Sequence, residues 1–391
     1  MRRVDVAIDR QPYLVPALGH PHVCALVAPP TPRVIPLERS HGAGFAEAHA
    51  ALGRLQGTLN RIPNVDMVTR TLARREAVRS SQIEGTKSDL SQLLTYEATQ
   101  GTRGLPPDVR VTERYVTALQ HGLDRVRTDG RRALTLELIN ELHAILMQDD
   151  HIARPGGAYR EHQAWIGSGA RIEDATFVPA PPAEIAGCMA EMAASILQYA
   201  PREDEQTALS VVAQLAIAHA QFETIHPYHD GNGRTGRLLL PLILAAEGFP
   251  PLYLSGALLR ERTQYYAALA DVQLRGHWSP WLELLGRSVV DACQDSISIA
   301  LDLLGLVEHW EAQLSEYRVD SATSRLPRFL IGHPVLSVQQ AAKGLGVSVP
   351  AANIALNNML KAGIVSLVDE RQWGRIFQAR EVLQRLDRPP G

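Results

Sequence analysis

The sequence predicts a mainly α protein: a long helical body, a short β-hairpin flap set into it, and a small winged helix-turn-helix at the C-terminal end. Three observations carry this prediction. From about Phe45 to Glu316 apolar residues recur at helical spacing. Runs rich in β-formers within that span are confined to two short stretches, around 164–166 and 176–178. The segment 328–391 then switches to short helix, turn, second helix and two strands.

Taken in order, residues 1–44 are rich in proline and β-branched residues, including Ala28-Pro29-Pro30-Thr31-Pro32-Arg33, and are expected to wrap the body as an extended arm. Residues 45–135 form an N-terminal helical region. Within it, the stretch from about Met67 to Glu84 is expected to be one helix, stopped by Gly85. A glutamate in the last helical turn faces the negative end of the helix dipole, which is locally unfavourable unless a cation offsets it. The plain alternative is a solvated glutamate.

Residues 136–316 form the main helical core. Ala164–Ile166 and Thr176–Val178, separated by a Gly-bearing polar stretch, read as the strands of a hairpin, with the flap spanning about 164–182. Thr207 to Ile225 reads as a helix with Leu209, Val212, Leu215 or Ala216, His219 and Phe222 along one stripe. His219 on that stripe is expected to be a hydrogen-bonded core residue rather than a ligand.

The most informative stretch follows: His226-Pro227-Tyr228-His229-Asp230-Gly231-Asn232-Gly233-Arg234-Thr235-Gly236-Arg237. Histidine is the usual proton acceptor near neutral pH. Asp230 offers the hard carboxylate oxygens that Mg²⁺ prefers beside substrate phosphates. The glycines on either side of Asn232 let the main chain approach a ligand closely. Leu238-Leu239-Leu240 and Ile243-Leu244, ending at Gly248, read as a buried helix whose N-terminus the glycine turn feeds, and such a terminus is an anion site. Arg234 and Arg237 are three apart, so both can turn to one polyphosphate. Pro241 inside that helix is expected to kink it, since an interior proline costs about 3 kcal/mol.

Asp320 to Arg325 is polar and lies in the expected linker, 317–327. In the domain 328–391, Ser337–Ala342 reads as a short helix, Leu345–Ser348 as a turn and Val349–Lys361 as a second helix. Gly363–Val368 and Arg375–Gln378 read as wing strands joined by 369–374. Asn353, Asn357 and Asn358 are the residues of the second helix suited to reading bases. Residues 327–391 hold eight Lys or Arg against four Asp or Glu, a net charge of +4. That is a weak electrostatic basis for DNA binding, so DNA and a protein-interaction or dimerisation role both stay open.

The twelve-residue stretch resembles the signature of Fic-domain proteins, His-Pro-Phe-x-Asp/Glu-Gly-Asn-Gly-Arg-x-x-Arg, with Tyr228 in place of the phenylalanine. Tyrosine keeps the ring and adds a hydroxyl that needs a partner if buried. The resemblance implies a protein adenylyltransferase, which moves AMP from ATP to a Ser, Thr or Tyr hydroxyl of a target protein. It makes His226 the base. Asp230 becomes the holder of Mg²⁺ (or Mn²⁺), Gly231, Asn232 and Gly233 the anion hole, and Arg234 and Arg237 the β- and γ-phosphate contacts, with Thr235 and Gly236 in the same ATP-binding segment. Relatives that act as kinases carry lysine where this chain has Asp230.

Other elements fit the same resemblance. Ser80-Ser81-Gln82-Ile83-Glu84-Gly85 matches Ser/Thr-x-x-x-Glu-Gly/Asn, the mark of an inhibitory helix, with Arg237 as the partner of Glu84. The flap, with Trp165, Phe177 and Val178, would dock the target by strand addition. Tyr265 and Tyr266 resemble a Tyr-Tyr pair of the nucleoside pocket, with Gln273 nearby, although tyrosine at helical spacing is more often core. Self-modification and a homodimer are compatible with this reading. Two alternatives stay open: a DNA-binding regulator that senses nucleotide without transferring it, and a de-AMPylase in which Glu84 positions water.

Composition is consistent with an enzyme of more than one domain: 391 residues, 45% apolar and 21% charged. A formal charge of −3 gives no global attraction to nucleic acid or anionic membrane. No apolar run is long enough to span a bilayer and no signal-peptide pattern is present, so a cytoplasmic protein is expected. Cys24, Cys188 and Cys293 are widely spaced, against a disulfide framework or zinc site. His226 and His229 have a zinc-helix spacing, but their place in the signature favours catalysis.

Overall fold

The structure is a computed structural model that describes residues 1–35, 39–101, 104–148, 156–167, 169–203, 205, 208–368 and 374–388. Helices dominate it. In chain order the elements are β1 (Leu14–Ala17), β2 (His20–Leu26), α1 (Arg39–Leu59), α2 (Val65–Ile83), α3 (Leu90–Thr99), α4 (Val109–Asp129) and α5 (Leu136–Leu146). Then come α6 (Pro182–Met192), α7 (Val211–Ile225), α8 (Asn232–Ala246), α9 (Ser255–Arg260), α10 (Arg262–Arg275) and α11 (Ser279–Gln313). The C-terminal elements are α12 (Ala322–Gly332), β3 (Val335–Ser337), α13 (Val338–Leu345), α14 (Val349–Lys361), β4 (Ser366–Leu367), β5 (Ile376–Gln378) and α15 (Arg380–Asp387). The chain divides into two compact units, residues 1–53 with 117–292 and residues 54–116 with 293–391.

At the centre of the first unit lies α7, every residue of which is buried, the polar Gln214, His219, Gln221, Glu223 and Thr224 included, so it has no solvent-facing side. Ser210 starts it by accepting the Ala213 N–H at 3.2 Å. Helix α8 packs along α7, and Gly236 makes the approach possible. A Cβ there would lie 2.7 Å from Glu223 Oε1 and 3.1 Å from Phe222 Cδ1. Trp281 of α11 anchors the same core by donating its indole N–H to the Ala216 carbonyl at 2.9 Å. Helix α8 is continuous from Asn232 to Ala246 with Pro241 inside it, where the sequence implied a kink.

The expectation of an extended N-terminal arm is corrected in part. Residues 14–26 form an antiparallel hairpin, with Leu14 opposite Leu26 and Pro16 opposite Cys24. Its prolines obscured the strand pattern in the sequence, yet proline is tolerated where a strand forms an edge. Ala17, Val23, Ala25 and Leu26 join Ile172, Phe177 and Val178 in one apolar cluster, and Leu26 N–H donates to the Val178 carbonyl at 2.9 Å.

In the second unit α2 packs on α12. Thr71 Oγ1 donates to the Ile331 carbonyl at 2.6 Å and Arg70 Nε to the Gly332 carbonyl at 3.1 Å, satisfying the C-terminal carbonyls of α12. The expected linker is corrected as well: Ser321 caps α12 by accepting the Ser324 N–H, so most of 317–327 is a helix start and first turns. Beyond it, β3, β5 and β4 form an antiparallel sheet in that order, with Leu336 opposite Phe377 and Leu367 opposite Phe377 on its other side. Capping serines Ser337 and Ser348 open α13 and α14. Residues 369–373 of the expected wing loop lie outside the described residues.

Candidate active site

The signature folds as the tight connection between α7 and α8. His226 ends α7 with φ 50° and ψ 62°, a left-handed geometry that costs a non-glycine residue about 1–3 kcal/mol and needs support from its surroundings. Its N–H donates to the Phe222 carbonyl at 2.9 Å. Asn232 closes the turn like a piece of backbone: its Oδ1 accepts the Tyr228 N–H and its Nδ2 donates to the Tyr228 carbonyl, both at 2.9 Å. Gly231 takes φ 77° as N-cap of α8, and a Cβ there would meet Met147 Sδ at 2.9 Å. Glycine has no side chain to cap with. The first N–H groups of α8 therefore face outward from a helix N-terminus without a side-chain cap, the electrostatic requirement for a phosphate site.

One helix supports this turn, and the sequence reading missed it. From α5, Asn140 Oδ1 accepts the Tyr228 hydroxyl at 2.6 Å, which supplies the partner that tyrosine needs in place of phenylalanine. His143 stacks on the Tyr228 ring, with centroids 3.6 Å apart and planes 4° apart. Gly157 N–H donates to His143 Nδ1 at 2.8 Å, so Nε2 carries the proton and donates to the Asp230 carbonyl at 3.0 Å. Burial pushes the His143 pKa down to about 4, which keeps that tautomer neutral. Asn140, His143 and Met147, at spacings of three and four, mark one face at the C-terminal end of α5. That spacing was the available signal.

The carboxylate of Asp230 is exposed and lies 3.4 Å from the Arg234 guanidinium, its one side-chain contact among the described residues. Among the described residues no group of three or more His, Cys, Asp or Glu is arranged to hold a metal. A lone accessible carboxylate fits an ion held mainly by substrate phosphates and water, as Mg²⁺ usually is. Arg234 is buried, and its Nε has no hydrogen-bond partner among the described residues, which leaves a donor for an anion. Arg237 is 1% exposed. Thr235 and Gly236, expected in the ATP-binding segment, support it from behind. Thr235 Oγ1 donates to the Gly231 carbonyl at 2.9 Å, and Gly236 is the contact point with α7.

The flap is shorter than expected. Among its described residues one antiparallel bridge joins Ile166 and Phe177, with N–H···O distances of 2.8 and 3.1 Å. Phe177 and Val178 are corrected from docking side chains to core residues of the N-terminal cluster, while Trp165 remains 39% exposed. Tyr265 is likewise a core residue. It is 1% exposed and hydrogen-bonds His219 Nε2 at 2.8 Å, so it presents no ring face to a nucleoside; Tyr266 beside it is 43% exposed. His219 is the hydrogen-bonded core histidine the stripe implied, with burial pushing its pKa down to about 3. Gln273 is buried and lines a small cavity of about 90 Å³ with Gln221 and Thr224. In the second unit Ser80 is fully buried, Glu84 is the exposed C-cap of α2, and Gly85 follows with φ 97°.

Comparison with known proteins agrees with this geometry. Residues 43–124 match the family model described as Fic/DOC family N-terminal, and residues 133–244 match that of the Fic/DOC family. Protein adenylyltransferase fic-1 of Caenorhabditis briggsae is 33% identical over 156 residues, 39% of this chain and 27% of that protein. Protein adenylyltransferase Fic of Drosophila mojavensis is 32% identical over 134 residues, 34% of this chain and 23% of that one. The matched region thus spans about a quarter of these relatives. A Fic family protein from Desulfovibrio desulfuricans G20 superposes with a TM-score of 0.51 at 19% identity, covering 90% of this chain and 98% of that one. A Fic domain containing signaling protein from Bacteroides thetaiotaomicron VPI-5482 gives 0.54 at 17% identity, covering 66% and 97%. Those likenesses show the mainly helical fold. Residues 133–244 are therefore a Fic/DOC-family domain, preceded over residues 43–124 by a Fic/DOC-family N-terminal region.

Proposed function

We propose that this chain is a protein adenylyltransferase that uses ATP to place AMP on a protein hydroxyl. The observation that carries the reading is the turn 226–234: an imidazole-bearing residue in a left-handed cap, then a helix N-terminus with no side-chain cap, then a buried guanidinium with an unpartnered Nε. His226 takes the proton of the acceptor hydroxyl, whose oxygen attacks the α-phosphorus. The bond to the bridging oxygen breaks, and pyrophosphate leaves with the electron pair. The N–H groups of the first turn of α8, with Arg234 and Arg237, hold the phosphate oxygens and the charge on the departing pyrophosphate. Asp230 would hold Mg²⁺, which supplies charge neutralisation across the phosphates when bound.

Proteins that serve this chain as substrate, itself included, meet the flap through backbone pairing. Glu84 restrains transfer in this reading. The order β3, α13, α14, β4, β5 supports a winged helix-turn-helix. Within it, Arg375 holds Asn353 at 2.7 Å and Asn358 donates to Thr323 at 3.1 Å, while Val349 and Ile354 are exposed. That surface favours contact with protein over reading of bases.

Incubating the full chain and a protein extract with Mg²⁺ and ATP labelled in either the α- or the γ-phosphate tests the function. Protein should gain label from the α-phosphate alone, and His226→Ala should lower incorporation by about 10²–10⁴-fold, the usual worth of a general base. Label arriving from the γ-phosphate would replace adenylyl transfer with phosphoryl transfer.

A further inference from the structure

Arg160 is a buried arginine, 2% exposed, and the bonds described for its side chain run to main-chain carbonyls. Nε donates to the His226 carbonyl at 2.9 Å, Nη1 to the His162 carbonyl at 3.1 Å and Nη2 to the Ala180 carbonyl at 2.5 Å. Its own N–H donates to the Pro227 carbonyl at 2.9 Å. Burying a guanidinium among neutral acceptors is expensive, and no ion pair is described that offsets it. Burial lowers its pKa to about 10, which leaves it charged at neutral pH.

The placement of the acceptors is informative. His162 precedes and Ala180 follows the Ile166–Phe177 bridge, so the guanidinium ties together the two feet of the flap. Gln163 adds a second tie between the same feet, donating to the Pro179 carbonyl at 2.8 Å. The remaining acceptors are the carbonyls of His226 and Pro227. Helix α7 already holds the His226 N–H through Phe222, so Arg160 fixes the other side of that residue, where ψ is set. A planar fork with diverging N–H groups can satisfy three carbonyls at once, and a lysine ammonium cannot reproduce that geometry.

We propose that Arg160 is the positioning residue of this site: it locks the backbone of His226 to the base of the flap, so that a hydroxyl carried by a strand on the flap meets the imidazole in register. The inference rests on the adenylyl-transfer reading above. Arg160 touches neither ATP nor the acceptor, and its loss acts on turnover through His226.

The test uses the full chain carrying Arg160→Met or Arg160→Lys, with AMP incorporation, ATP Kd and melting temperature measured together, and a crystal structure of the methionine variant. Arg160→Met should lower kcat at least tenfold with ATP Kd unchanged, and His226 should leave the left-handed region. Arg160→Lys should recover part of the lost turnover, and it carries the test alone if the methionine variant does not fold. Wild-type kcat in either variant, or a His226 φ near the wild-type value in the methionine variant, would overturn the proposal. A parallel fall in kcat and ATP affinity that tracks the melting temperature would overturn it too, because that is the signature of general destabilisation. Because Glu84 restrains the wild type, a Glu84→Gly chain that binds ATP and still transfers nothing would instead defeat the transfer reading, and the crystal structure would then decide the role of Arg160 by itself.

Discussion

Replacing His143 with alanine isolates the support that α5 gives to the signature turn. The substitution removes the donor to the Asp230 carbonyl at 3.0 Å and the acceptor of the Gly157 N–H at 2.8 Å, together with the ring stacked 3.6 Å from Tyr228. Each hydrogen bond contributes about 1 kcal/mol net, and a buried group left unsatisfied costs about 1–3 kcal/mol. Deleting the ring opens a void under Tyr228 and Gly231, as large-to-small core changes do at about 2–5 kcal/mol. These effects share atoms and do not add in full, so a total of about 3–5 kcal/mol is expected. For a unit of this size that lowers the melting temperature by roughly 10 °C, read by scanning calorimetry. Loosening the turn also misaligns the first N–H groups of α8, so ATP should bind at least about tenfold more weakly, equivalent to 1.4 kcal/mol. His143→Gln keeps an N–H donor on a longer side chain and should fall between. Stability within about 1 kcal/mol of wild type and an unchanged ATP affinity in His143→Ala would refute the role assigned to α5.

Other consequences follow from the same packing. Gly236→Ala drives a methyl group to within 2.7 Å of Glu223 Oε1 and 3.3 Å of His219 Cε1. It should cost about 1–3 kcal/mol by overpacking, measurable by urea unfolding, and no loss would show that α7 and α8 have slack. His219 and His333 have pKa values lowered from 6.5 to about 3 and about 4, burial being the first cause and Arg237, or Arg70 and Arg74, the facing charges. Both prefer to be neutral in the fold, while the unfolded chain binds protons from pH 6.5 downward. Their stabilisation is therefore full above about pH 6.5 and is lost progressively toward pH 4, by on the order of 3 kcal/mol each. Unfolding midpoints that stay flat over that range would contradict the burial. Glu84→Gly should raise AMP incorporation from labelled ATP with Mg²⁺, and equal labelling of the two proteins would remove Glu84 from regulation.

Much of the site was legible because its residues are contiguous. A histidine, an acid, a glycine turn and two arginines within twelve positions specify a helix-to-helix turn, and the end of α2 at Ile83 was readable from Gly85. What supports the turn was not legible. Asn140, His143 and Arg160 lie far upstream, and their roles depend on carbonyls and rings that only the fold brings to them. Tyr265 illustrates the reverse error, since its likeness to a pocket residue said nothing of the His219 bond that holds it in the core. Pro16 and Pro21 concealed β1 and β2, and the polar run at Ser321 read as a linker because capping serines and linker serines look alike in sequence. The packing of 54–116 with 293–391 joins segments that no local pattern connects.

The most direct measurement compares wild type and His226→Ala for ATP binding and for AMP transfer under one set of conditions. The account predicts equal ATP affinity with transfer lost in the variant, because the phosphates are held by α8 and the arginines while the proton goes to the imidazole. Transfer at the wild-type rate by His226→Ala, or no binding of ATP by either protein, would contradict it.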